Sequence, residues 1–99
     1  MTETEAINTV ETAIAPLVKA DVMIVGSQTE PNSRKDYIVI VGVIAERGSK
    51  SEDVRMALMK LGRENPEFKY QGSEVQNGDF KMEIFQVSTL IKGYWWKSI

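Results

Sequence analysis

The chain has 99 residues, 42% of them hydrophobic and 26% charged, which fits one folded domain over residues 1–99 and leaves no room for a second core. Its formal net charge of −2, from 14 acidic and 12 basic side chains, gives no bulk basic footprint for nucleic acid. Cysteine and histidine are both absent, which excludes disulfides, thiolate nucleophiles, Cys/His zinc sites and every scheme that shuttles a proton through imidazole.

The acidic opening Met1-Thr-Glu-Thr-Glu5 is unlike the basic and then apolar start of a signal peptide. The longest apolar run, Ile38 to Ala45, has eight residues and is too short to span a bilayer. A soluble protein of the cytoplasm, with no membrane partner, is expected. The first predicted element is a helix from about Thr4 to Lys19, because Ile7, Val10, Ile14, Leu17 and Val18 recur at three-and-four spacing. Thr2 and Glu5 have the pattern of a capping box. Pro16 removes a hydrogen bond and strains the preceding turn, so the helix kinks or ends near Ala15. The apolar stripe beyond the proline favours the kink.

Val22 to Val25 follow as a short apolar strand running into Gly26-Ser-Gln, and Thr29 to Lys35 form a polar connection around Pro31, Asn32 and Ser33. Tyr37 to Ile44 read as the central strand. They are β-branched and apolar on both faces, so cover is expected on both, by helices on one and by a neighbouring subunit or more sheet on the other. A second helix spans about Glu52 to Glu64, with Ser51 as its cap and Val54, Ala57, Leu58 and Leu61 as its buried stripe. Glu52 and Asp53 suit its N-terminal end, and Asn65-Pro66 stops it.

The last third predicts a hairpin around Asn77-Gly78, a preferred two-residue type I′ turn. That turn sets Val75 opposite Phe80, Glu74 opposite Lys81 and Tyr70 opposite Phe85. A bulge near Gly72 is predicted, because it returns Phe68 and Tyr70 to the face of Phe80. Phe85 and Val87 then lie on the opposite face, beside Lys81 and Glu83. The order is α-β-β-α-β-β, and Tyr94 to Ile99 can add a last strand. The fold class expected is α+β, a small antiparallel or mixed sheet with two helices packed on one face.

No arrangement of chemistry-bearing residues stands out. Ser49 and Ser51 have no imidazole to activate them, and a polar loop with a helix cap accounts for both, with Lys50 beside them. Glu52 and Asp53 are adjacent on a helix and point apart, so a first-turn dipole role explains them better than a paired acid and base or a metal site. Glu74 has Lys81 as its expected cross-strand partner. Arg34 and Lys35 precede the central strand while Arg47 and Lys50 follow it, so they sit at opposite ends and form no single nucleic-acid patch. Catalytic, cofactor and metal residues are therefore assigned to none.

The C-terminus is unusual, with Leu90-Ile-Lys-Gly-Tyr-Trp-Trp-Lys-Ser-Ile99 carrying both tryptophans of the chain. Strand alternation cannot place adjacent Trp95 and Trp96 on one face, and aromatic residues are enriched where proteins meet. Burial in the subunit's own core and contact with another subunit both stay open. On the second reading the interface is Phe85, Val87, Tyr94, Trp95, Trp96 and Ile99.

From Ser51 to Leu90, "RMALMKLG" followed by "YQGSEVQNGDFKMEIFQV" resembles the small tail-terminator or tail-completion (neck) proteins of long-tailed bacteriophages. The resemblance is one of pattern, with no signature motif and no catalytic residues to carry over. Thr29 to Lys35 is brief where relatives often have another strand, and a baseplate component would read similarly. The resemblance implies a non-enzymatic virion protein that forms a homo-oligomeric ring, usually a hexamer, against other tail or neck proteins. A small regulatory or ligand-binding α+β domain is the alternative from a different class, and an enzyme working through carboxylates and lysines comes third.

Overall fold

Thr2 opens the first helix as the sequence predicts. Its hydroxyl accepts a hydrogen bond from the Glu5 N–H at 3.1 Å, and the Glu5 carboxylate accepts one from the Thr2 N–H at 3.2 Å. This reciprocal pair satisfies two donors that a helix start otherwise leaves open. The computed structural model describes residues 1–29, 36–75 and 81–91. These form α1 (Glu3–Ile14), β1 (Asp21–Thr29), β2 (Tyr37–Glu46), α2 (Ser51–Glu64), β3 (Phe68–Val75) and β4 (Met82–Ile91). The four strands make one antiparallel sheet in the order β1-β2-β4-β3. The α+β class and the α-β-β-α-β-β order expected from the sequence are those observed.

The first helix ends instead of kinking. Ala15 is its last cap, donating to Glu11 O at 2.9 Å, and the N–H groups of Leu17 and Val18 then turn back onto Ile14 O at 2.9 and 3.2 Å. A continued helix would drive the Pro16 ring against the carbonyl four residues earlier. The turn avoids that and still lays Val18 and Ala20 against the core. The second helix starts one residue earlier than predicted, and its N-cap, Lys50, makes no side-chain cap bond. Ser51 does not cap it: its hydroxyl accepts from the Gly48 N–H at 3.1 Å and closes the turn that leads in. At the other end Asn65 leaves the helix in an extended conformation, before Pro66, as expected.

Both helices lie on one face of the sheet. Ala6, Val10 and Ile14 of α1 and Val54 and Leu58 of α2 form one buried cluster with Val39, Val41, Val43, Phe68, Phe85, Val87 and Ile91. Since β2 and β3 both run antiparallel to β4, they are parallel to each other, and α2 crosses the sheet between them. The last strand is thus inserted between two strands already joined by a helix, and it pairs with β2 over ten residues, from Tyr37↔Ile91 to Glu46↔Met82.

That insertion overturns the register read from the hairpin. Val75 pairs with Glu83, not Phe80; Glu74 with Ile84, not Lys81; and Tyr70 with Val87, not Phe85. Near the turn the shift is three residues, an odd number that turns the β4 side chains beside Glu74 and Val75 to the other face, and the bulge makes it two at Tyr70. Phe85 and Val87, expected on the outer face as contact residues, are therefore core, with 1% and 0% of their surface exposed. Fully burying a large apolar side chain is worth about 1.5–3 kcal/mol, and β4 buries Phe85, Val87 and Ile91 in this register. Asn77, Gly78 and Phe80 lie outside the described residues.

The bulge predicted near Gly72 is present. The β3–β4 register shifts between Tyr70 and Gly72, and Gly72 has φ +112°, a conformation that side-chain-bearing residues rarely adopt. It works with the true register instead of the expected one, keeping Phe68 and Tyr70 on the helix face with Phe85 and Val87. β1 is longer than predicted and has its own bulge, with the register shifting between Ile24 and Gly26.

Candidate interaction surface

Strand alternation leaves the other face of the sheet to one set of residues. On β2 these are Ile38, Ile40, Gly42 and Ile44, and on β4 they are Met82, Ile84, Gln86, Ser88 and Leu90. Their side chains are half-buried, except that Gly42 is buried. No described helix or strand lies over them. The expectation that β2 is apolar on both faces holds, but the described residues cover only the helix side.

Gly42 shapes the middle of this face. A Cβ there would sit 2.6 and 3.1 Å from the two Val25 methyls and 3.4 Å from an Ile84 methyl. The β1 bulge turns Val25 over the bare backbone of β2, and a glycine is what lets it lie so close. Val25 remains 43% exposed and its neighbour Met23 44%, so a hydrophobic centre is presented outward. A hollow of about 280 Å³ lies beside it, lined by Val25, Ile40, Glu74, Ile84 and Gln86.

Polar groups border the apolar centre. On the β3 side, the Gln86 amide donates to Glu74 Oε1 at 3.3 Å, and the Gln71 amide donates to Ser88 Oγ at 2.8 Å. Ser88 Oγ in turn donates to the Lys69 carbonyl at 3.3 Å, while the exposed Lys69 side chain projects from the same strand. Glu74 was expected to pair with Lys81 and takes Gln86 instead, a direct result of the shifted register. An apolar middle with a polar rim is the anatomy of protein–protein contact surfaces.

The other sequence candidates are dispersed. Glu52 accepts a hydrogen bond from Arg55, and Lys50 lies 4.0 Å from Asp53, so the first-turn acids of α2 are engaged with its own basic residues. The Glu52 carboxylate holds the Arg55 guanidinium above its ordinary value, through its hydrogen bond and its charge. Among the described residues no group of three His, Cys, Asp or Glu could hold a metal ion. A hollow of about 510 Å³ between the end of α1 and β1 is bordered by Glu11, Lys19 and Asp21. No buried side-chain N or O atom in the described residues lacks a hydrogen-bond partner, so none calls for a ligand. No described helix is long and apolar enough to cross a membrane. Tyr94, Trp95, Trp96 and Ile99 lie outside the described residues.

On the helix side, Tyr70 packs against the core, beside Ser73. Burial raises the Tyr70 pKa from the ordinary 10.0, and the Ser73 hydrogen bond partly opposes that. The folded state therefore holds the phenolic proton more tightly than the unfolded chain. Stability from this group is fully present below about pH 10 and is lost as pH rises through the folded value. Urea midpoints for wild type should fall more steeply between about pH 9 and pH 11 than those of Tyr70→Phe. Identical slopes would show that Tyr70 ionises freely.

Among the described residues the fold is a two-layer α+β sandwich with both helices on one side, and the candidate site is a sheet face rather than a cleft. No protein-family model, no curated protein and no solved structure matches the chain.

Proposed function

We propose that this is a non-enzymatic assembly protein that forms a homo-oligomer, a ring-building tail-terminator or neck component of a tailed bacteriophage. Its surface for other subunits is the outer face of the sheet, supplemented by Tyr94 to Ile99. The observation that carries the reading is the half-buried row Ile38, Ile40 and Ile44, flanked by the exposed Val25 and Met23, with no described element over it. Apolar area of this kind costs about 25 cal/mol per Å² to keep in water, which a second protein surface would recover. The phage role rests on the sequence resemblance from Ser51 to Leu90. In that role the protein would belong to the virion, beside other tail or neck proteins.

Sedimentation equilibrium tests the reading directly, with a defined oligomer as the expected result. Trp96→Ala should weaken association more than it lowers the urea midpoint. Equal loss of both would put that indole in the subunit's own core and remove the tail from the contact. Genes for tail tube, sheath or portal beside this one would support the phage role, and their absence would count against it.

A further inference from the structure

The apolar row on the outer face is flanked on β3 by two charges of opposite sign, placed symmetrically about its centre. The central row of the face runs through Gly42, Gln86 and Gly72, with Val25 lying over Gly42. One side-chain row to one side holds Ile40, Ser88 and Lys69; one row to the other holds Ile44, Ile84 and Glu74. Lys69 and Glu74 are both exposed. From this geometry we infer that the face packs against the same face of a second copy, about a twofold axis perpendicular to the strands at the level of Gly42. The inference rests on the reading of this face as a subunit contact and names the subunit; because a twofold contact closes on itself, a ring of such dimers needs a second contact elsewhere on the subunit.

Such an axis exchanges the two rows and leaves each strand over its own counterpart. Lys69 then meets Glu74 of the second copy, and Glu74 meets its Lys69, giving two symmetric charge pairs. Ile40 meets Ile44, and Val25 meets Val25 at the centre. The alternative axis along the strands lays β1 over β3 with rows unchanged. It sets Asp21, which pairs with Ile44 on β1, against Glu74 in the same row, a like-charge contact. Self-complementarity of one patch is the requirement for a twofold contact. Two sheets packed face to face lie about 10 Å apart, a gap that long Lys and Glu side chains bridge at the rim. The mixed signs of the rim also argue against a partner of uniform charge, such as nucleic acid.

Charge reversal tests the pairing. The full chain, Lys69→Glu, Glu74→Lys and the double variant are compared by sedimentation equilibrium, with circular dichroism confirming that each is folded. Either single reversal creates two like-charge contacts and should weaken dimerisation by about tenfold or more. The double variant should restore it to within about threefold of wild type. If the reversals change nothing while Val25→Asp still dissociates the oligomer, the second copy is seated differently: the inference fails and the assembly reading stands. If the wild-type chain is a strict monomer at about 100 μM, both fail.

Discussion

Phe85→Ala is expected to lower the stability of the folded subunit by about 3–5 kcal/mol, the largest effect of any single substitution considered. Phe85 is 1% exposed, lies opposite Val43 in the sheet, and belongs to the cluster that includes α1 and α2. Removing the ring forfeits its transfer free energy and leaves a cavity that the flanking strands, each fixed by ladder bonds, can only partly close. A domain of this size has about 5–15 kcal/mol in total, so the variant should be marginal at room temperature. Urea denaturation should show a much lower midpoint with an unchanged slope. A loss below about 1 kcal/mol, with association abolished instead, would return Phe85 to the surface where the hairpin reading had placed it.

Val25→Asp should do the reverse. Val25 is 43% exposed on an edge strand, so the folded subunit should lose no more than about 1 kcal/mol. In the proposed assembly the same position is buried, and a carboxylate there is desolvated without a partner. Association should weaken by about a hundredfold or more, read as a shift toward monomer in sedimentation equilibrium. An unchanged association constant would show that the outer face is not the contact. The pair of variants separates folding from assembly, because each is expected to damage one and spare the other.

Local chemistry was legible in the sequence wherever a few neighbouring residues decide the outcome. Thr2 and Glu5 announced the capping box, Asn65-Pro66 the end of α2, Gly72 the bulge, and the β-branched run from Tyr37 the central strand. The misreadings share a different origin. The side of β4 that faces inward is set by its ten-residue pairing with β2, a strand more than thirty positions away. No nearby residue signals it. The register extrapolated from Asn77-Gly78 does not hold between β3 and β4, and the contact residues assigned from it, Phe85 and Val87, are core. The length of β1 and the position of Val25 over Gly42 were equally hidden, because a close approach between strands is invisible until both are placed. The outer face was half-legible: its apolar character could be read from Ile38, Ile40 and Ile44, but its charged border could not, since that border exists only in the true register.

The kinks in β1 and β3 have a bearing on what the protein avoids. Among the described residues these two strands are the borders of the sheet, and each has an interrupted ladder, at Val25 and between Tyr70 and Gly72. A border of this kind offers a poor template to an incoming strand. Side-by-side pairing of copies through these strands into endless ribbons is thereby disfavoured. Under the assembly proposed above, growth is left to broad surfaces that saturate once matched, as a structure with a fixed number of parts requires.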